Sequence, residues 1–194
     1  MQKLSRDDLF SLEAYAEQRP TFRADIQAHK LTRMVHVGPN AVLHFEDRKT
    51  MLYQVQEMLR AERIFESAGI QEELDAYNPL IPDGRNWKAT FMIQYDDPEE
   101  RRLALANMIG IERATTVQVE GFDKVYPVAN EDLERETEEK TSSVHFLRFE
   151  LSDAMAEAAK GGASIHVGIE HPAYSHALSP VPETIRQSLV SDLD

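Results

Sequence analysis

Two histidines and a glutamate in one short stretch are the first residues whose types and spacing could do chemistry. His36 precedes a Gly-Pro-Asn turn, and His44 and Glu46 follow it in an alternating run. Residues two apart on a strand project from the same face. If Val37 pairs with Ala41 across the turn, His36 and His44 become diagonal neighbours within roughly 8 Å. The pattern therefore predicts a hairpin that gathers these three side chains on one face.

Two imidazoles and one carboxylate are the protein ligands of non-haem iron(II) oxygenases, and iron, manganese and zinc all accept such donors. The set therefore predicts a metal site, although a motif match is only a hypothesis until its context is known. The same residues also fit a solvated face, because a hairpin turns its polar side chains outward. Both interpretations stay open at this point.

His145 lies in a different setting. In the run 143–151 it alternates in phase with Leu147, Phe149 and Leu151. This phase predicts a buried histidine whose ring nitrogens are hydrogen-bonded. His145 is also a candidate fourth metal ligand if the sheet brings it close to the hairpin. The sequence does not decide between the two roles.

A proline-rich loop over residues 78–86 is a further candidate, because stiff loops on a scaffold often carry function. Its polar side chains are predicted to hold a small ligand or a partner protein: Tyr77, Asn78, Asp83, Arg85 and Asn86. The alternative is a structural turn in which Asn and Asp side chains satisfy the backbone.

The elements that must position these residues mix helices and strands without a regular βαβ alternation. Apolar residues recur at helical spacing over 5–33, and Pro20 divides that pattern, so we predict two N-terminal helices. Such a mixture predicts one α+β domain over residues 1–194, with a mainly antiparallel or mixed sheet and flanking helices. The main elements are predicted as a helix at 50–66, strands at 87–95, 114–120, 122–128 and 143–151, and a final hairpin of strands at 164–170 and 174–178.

Composition excludes several function classes. The chain has 194 residues, with 21 Lys+Arg against 34 Asp+Glu, and its net charge of −13 opposes binding to nucleic acid. Cysteine is absent, so disulfides, thiolate-held metal clusters and a cysteine nucleophile are excluded. The first residues, MQKLSR, predict no secretory leader, and no apolar run predicts a membrane span. We therefore predict a cytoplasmic protein without a membrane partner.

Several segments of the chain are distinctive as strings, above all GIQEELDAYNPLIPDGRN at 69–86. Together with 46–48, 56–63, 138–150 and 170–174, this string resembles the bacterial family known as domain of unknown function 3501. The resemblance covers nearly the whole chain. It implies a single-domain cytoplasmic protein associated with rubrerythrin-like or iron–sulfur oxidoreductase proteins, and it implies no catalytic residues.

Two functions therefore remain after the sequence analysis. The first is a non-enzymatic accessory or partner protein in an iron-linked or oxidative-stress redox system, in which the partner carries the metal. The second is a metal-dependent, non-haem iron-like enzyme that uses His36, His44 and Glu46, with His145 as a further ligand. Nucleotide-binding and standard hydrolase motifs are absent, which disfavours those classes.

Overall fold

The structure, a computed structural model, describes residues 2–133, 135, 137 and 139–194. Helices and strands alternate irregularly along the chain, as expected for an α+β fold. The elements are α1 Leu12–Leu31, β1 Met34–His36, β2 Ala41–Phe45, α2 Arg48–Ala61, α3 Ser67–Tyr77, β3 Asn86–Ile93, α4 Pro98–Asn107, β4 Thr115–Val119, β5 Val128–Ala129, β6 Val144–Glu150, α5 Asp153–Lys160, β7 Ile165–His171, β8 Tyr174–Leu178 and α6 Glu183–Val190. Short 3₁₀ turns lie at Arg6–Asp8 and Asn78–Leu80.

The strands form two sheets. A five-stranded sheet has the order β1-β2-β3-β6-β5, and a three-stranded sheet has the order β4-β7-β8. Each of these strand pairings is antiparallel. The predicted α+β domain with an antiparallel sheet is confirmed.

The predicted hairpin forms between β1 and β2. The Val37 amide donates to the Ala41 carbonyl at 2.9 Å, and Gly38 turns the chain with a φ of 74°. A side chain at Gly38 would lie 2.6 Å from both the Tyr174 hydroxyl and the His176 ring. Glycine is therefore required here both by the left-handed backbone and by close packing of β8 against the turn.

The main core lies between the two sheets. Alternate residues of the five-stranded sheet, such as Leu43 and Phe91, are fully buried against Val117 and Val167 of the smaller sheet. Leu189 of α6 closes the core at one end. We call the opposite side of the five-stranded sheet its outer face; the side chains on it are mostly half-buried.

The N-terminal region contains one long helix where two were predicted. Pro20 lies inside α1 and removes one backbone hydrogen bond, yet the helix continues to Leu31. Tyr15 and Ile26, on either side of the proline, are both fully buried. Packing on both halves, mainly against α2, therefore outweighs the local cost of the proline.

Two further predictions differ from the structure. The strand predicted at 122–128 is reduced to a single bridge between Val117 and Val125 and to the short β5. The helix predicted at 50–66 ends earlier, at Ala61, where Arg63 adopts a φ of 55° and the chain turns into α3. The positive φ at an arginine is visible only in the folded chain.

The helices on the outer-face side have their own small core. Leu4, Val55 and Leu74 are buried in a cluster that joins the N-terminal segment, α2 and α3. Within the part of the chain that the structure describes, no helix combines the length and apolar character needed to cross a membrane.

Candidate functional site

The outer face of the five-stranded sheet carries the candidate histidines in two regular rows. Antiparallel pairing places direct partners side by side on one face. One row consists of Met34, His44, Thr90 and Phe146, and the next consists of His36, Val42, Met92 and Val144. His36 and His44 are thus diagonal neighbours, in the register that the sequence predicted.

Glu46 is buried just after β2, where α2 begins. The hydroxyl oxygens of Thr50 and Thr90 lie 2.7 and 2.6 Å from its two carboxyl oxygens. Burial raises the pKa of Glu46, and the hydrogen bonds from the two threonines oppose this shift only in part. The carboxyl group is therefore enclosed by protein and already has partners for both oxygens.

His145 occupies the inner face of β6, within the main core. It is fully buried and its ring stacks on Phe91, with centroids 6.0 Å apart. Its Nδ1 lies 3.0 Å from the Asn130 side-chain amide, and its Nε2 lies 3.1 Å from the Thr141 hydroxyl and 3.0 Å from the Ser142 carbonyl. These are the contacts of a hydrogen-bonded core histidine, the first of its two predicted roles.

The predicted set of four metal ligands is not assembled in the structure. His145 projects from the inner face, whereas His36 and His44 project from the outer face. Over residues 2–133, 135, 137 and 139–194, no three His, Asp or Glu side chains are grouped so that they could hold a metal ion. The binding of iron, manganese or zinc stays a prediction.

Most of the candidate residues in the loop over 78–86 make internal contacts. The Asn78 side chain bonds both backbone groups of Leu4 at 2.8 and 2.9 Å and so fixes the N-terminal segment. The Asn86 amide donates to Asp83 and to Glu150 at 2.8 and 2.9 Å. These contacts are those of a structural turn.

The remaining two residues of that set lie at the surface. Arg85 forms an exposed ion pair with Asp153 at 2.9 Å. Tyr77 differs from the others, because it lines a cleft between the end of α3 and the outer face. The structure thus separates Tyr77 from the polar residues with which the sequence grouped it.

The cleft beside Tyr77 has a volume of roughly 480 Å³. We call it the α3 cleft; its apolar lining residues include Pro79, Leu80 and Phe146. No sequence pattern indicates this cleft, because it forms where α3 approaches strands that follow later in the chain. Its lining residues are Asp75, Ala76, Tyr77, Pro79, Leu80, Lys88, Glu131, Asp132, Phe146, Leu147 and Arg148.

Both cations of the α3 cleft are engaged by the protein itself. The Lys88 ammonium donates to the carbonyls of Pro79 and Ile81 at 2.7 and 3.1 Å. The Arg148 guanidinium donates to both carboxylate oxygens of Glu131 at 2.8 and 2.7 Å, and it also pairs with Glu150. A ligand in this cleft therefore meets an apolar wall and, at Asp75, a carboxylate without an ion pair among the described residues, rather than free positive charge.

A buried ion network lies at the end of β2, and the sequence analysis missed it. We define it as His29, Arg33, Asp47 and Asp192. Arg33 is 1% exposed, and its guanidinium pairs with Asp192 and lies 3.5 Å from Asp47. His29 Nε2 lies 2.6 Å from Oδ2 of Asp47, the same oxygen that Arg33 approaches. The network joins α1, the start of α2 and the residues after α6.

Burial and the nearby positive charge shift the pKa values of the two acids of this network in opposite directions. Burial raises the pKa of Asp192 to about 6, and the nearby Arg33 charge opposes this only in part. Burial also acts to raise the pKa of Asp47. Arg33, the Thr50 amide and His29 outweigh this effect and together hold the pKa of Asp47 below its ordinary value. Asp192 is the less well satisfied acid, since its Oδ1 is buried without a hydrogen-bond partner among the described residues.

Comparison with known proteins shows the family. The family model described as protein of unknown function (DUF3501) matches residues 3–193. The chain belongs to this family. It is also similar to a solved structure, the crystal structure of a novel protein of unknown function from Burkholderia pseudomallei K96243, with 49% identity, full coverage of both chains and a TM-score of 0.94. No curated protein matches the chain.

Proposed function

We propose that the protein is a cytoplasmic, non-enzymatic accessory protein that binds a partner protein at the α3 cleft. The partner belongs to an iron-linked or oxidative-stress redox system, of the rubrerythrin-like or iron–sulfur oxidoreductase kind that the family resemblance implies. The observation that carries the proposal is the cleft itself, which offers an apolar wall while its own cations are already paired.

Exposed apolar side chains extend the binding surface beyond the cleft. Val128 of β5 pairs directly with Arg148 and so lies on the same outer face, where it is 44% exposed. Leu133, a few residues further on, is 55% exposed. Apolar side chains beside a cleft are typical of a protein interaction site.

Charge indicates what kind of surface the partner presents. The segment 131–140 contains six acidic and two basic residues, and two of these acids, Glu131 and Asp132, line the cleft. At the cleft, Asp75 accepts a hydrogen bond from the neutral Gln71 amide at 2.8 Å and forms no ion pair with any described residue. A partner segment that combines an apolar side chain with Lys or Arg would complement both features.

The lack of cysteine supports the proposal that the partner, and not this protein, carries the metal. A chain without thiolates cannot hold an iron–sulfur cluster in the usual way. The electron-transfer chemistry would then belong to the partner, and this protein would supply a docking surface.

The test is affinity capture from native lysate with a charge reversal in the cleft. The wild-type protein should recover an iron-containing redox protein, identified by mass spectrometry and by metal analysis of the same sample. Asp75→Lys should reduce recovery at least about tenfold, because it places a cation where the partner is basic. Glu17→Lys on α1 is the matched control, since it changes the net charge equally and lies outside the cleft lining.

Three results would contradict the proposal. The first is equal recovery with Asp75→Lys and Glu17→Lys. The second is capture that does not weaken as salt concentration rises. The third is an iron content that belongs to the protein itself and not to a captured partner.

A metal-dependent enzyme at His36, His44 and Glu46 is the second candidate. It is favoured by the shared face of the two histidines, neither of which has a hydrogen-bonded ring among the described residues. It would require Glu46 to exchange its threonine partners for the ion. Stoichiometric iron, manganese or zinc in untagged protein, lost in His44→Ala, would favour this function over the first.

A further inference from the structure

A second groove lies at the other end of α3, between the N-terminal segment and the connection from α2 to α3. We call it the N-terminal groove; its apolar lining residues include Leu9, Leu59, Ile64 and Ile70. Its volume is roughly 380 Å³. No residue that lines this groove also lines the α3 cleft. The N-terminal groove is therefore a surface separate from the partner site proposed above.

Contacts within the chain hold the walls of the groove in place. The buried Gln56 side chain accepts a hydrogen bond from the Phe10 amide at 2.6 Å and so fixes the N-terminal segment to α2. Ile64 packs closely over Gly69, where an added Cβ would lie 2.8 Å from the Ile64 Cγ2 methyl. A surface that is already ordered loses little conformational entropy when another molecule covers it.

Two phenylalanines of the groove are exposed to solvent. Phe65 lines the groove and is 71% exposed, which makes it the most exposed large apolar side chain in the described part of the chain. Phe10 also lines the groove and is 36% exposed. Aromatic side chains bury a large apolar area and are enriched at protein interfaces. The groove and its exposed rings are thus suited to contact with another protein surface.

The charges of the groove are balanced and are not paired within the chain. Arg6 and Glu13 are its charged lining residues. The Arg6 guanidinium donates to the neutral Ser67 hydroxyl at 2.7 Å, and neither Arg6 nor Glu13 forms an ion pair with a described residue. Two arginines and two glutamates lie close by in the segment 60–66. Because the net charge of −13 makes two copies repel each other, they are expected to meet where opposite charges balance.

These features are complementary to themselves under two-fold symmetry. In such a dimer the same patch is used by both copies, so each contact between two different residues occurs twice. We propose that the N-terminal groove is the interface of a symmetric homodimer. Phe65 of each copy packs into the groove of the other copy, and Arg6 of each copy pairs with Glu13 of the other. Dimerisation thereby covers the exposed rings and gives both charges a partner.

The first test is sedimentation equilibrium of the untagged protein over a range of concentrations. The average mass of the wild type should rise towards that of two chains as the concentration increases. Phe65→Asp should weaken dimerisation at least about tenfold, because it places a carboxylate against the apolar groove. Leu31→Asp at the end of α1 is the matched control, since Leu31 is 66% exposed and does not line the groove. This control should dimerise as the wild type does.

The second test uses charge reversal to identify the occupant of the groove. Arg6→Glu and Glu13→Arg each place like charges opposite each other at both symmetry-related contacts, so each variant alone should dimerise at least about tenfold more weakly. An equimolar mixture of the two variants should dimerise again, because every such contact then joins a glutamate to an arginine. Recovery in the mixture is specific to two copies that meet through this groove.

Several results would overturn the proposal. One is a wild type that stays monomeric at the highest concentration reached, including one that captures a different protein at the groove. Another is equal dimerisation of Phe65→Asp and Leu31→Asp. A mixture of Arg6→Glu and Glu13→Arg that associates no better than either variant alone would also overturn it. Circular dichroism of each variant verifies that the fold is retained.

Discussion

Two neighbouring regions take polar side chains from the same short segments of chain and use them in opposite ways. Arg33 and Asp47, at the strand ends, enter the buried ion network and are paired there. His36 and His44 lie three residues from Arg33 and Asp47, respectively, and project from the outer face. Neither histidine ring has a hydrogen-bond partner among the described residues. The Arg33 guanidinium also donates to the carbonyls of Phe45 and Glu46 at 2.9 and 3.2 Å, whereas no described backbone group bonds either histidine ring. The first group stabilises the fold, and the second is free to bind a ligand.

The largest expected effect comes from removing the central cation of the network. Arg33→Met should lower the free energy of unfolding by about 3–5 kcal/mol, because it leaves Asp47 and Asp192 buried without their counter-ion. Urea denaturation followed by circular dichroism measures this. His44→Ala on the outer face is the comparison, with an expected change within about 1 kcal/mol. Equal losses in the two variants would show that the two regions do not differ in this way.

The second prediction concerns the pH dependence of stability. The pKa of Asp192 is about 6 in the folded protein and 3.8 as its reference value. Because the folded-state pKa is raised, the stabilisation from this group is present below about pH 4 and is lost as the pH rises through about 6. The unfolding free energy of the wild type, minus that of Asp192→Asn, should therefore fall by about 3 kcal/mol between pH 4 and 7.

Denaturation of both proteins in parallel at several pH values is the measurement. Taking the difference removes the contribution of Glu46, which both proteins share. A difference that stays constant over this range would mean that burial does not raise the pKa of Asp192.

The smallest expected effect lies at Glu46, between the two regions. Glu46→Gln should change the unfolding free energy by less than about 1 kcal/mol, because an amide can still bond both Thr50 and Thr90. Glu46→Ala should cost about 2–3 kcal/mol, because it leaves two buried hydroxyls without this partner. If Gln were as destabilising as Ala, the negative charge itself would be required at this position.

Local patterns were enough to predict the elements that hold the outer face. Alternation around Gly38 gave the hairpin and the register of His36 with His44, because both depend on neighbouring residues. The start of α4 is also marked by local signals, since Asp97 caps the helix and Pro98 occupies its first turn. Pro20 misled the prediction of α1, because packing of the helix outweighed a local rule.

The features that sequence patterns did not predict depend on contacts between residues far apart in the chain. The face that His145 takes depends on which residues of β3 and β6 pair, and these strands are separated by about 50 residues of chain. The burial of Glu46 depends on Thr90, 44 residues away. Nothing near Arg33 indicates that it is buried, since its partner Asp192 lies 159 residues further on.

The separation of Arg33 and Asp192 by 159 residues determines when their ion pair can form during synthesis. Arg33 is made early, and Asp192 leaves the ribosome only after every strand of both sheets has been made. Until then the end of α1 holds a cation without its closest counter-ion, and Trp87 lacks the Leu189 carbonyl to which its indole donates at 2.8 Å. The N-terminal half of the chain therefore reaches its final environment only when the last helix arrives.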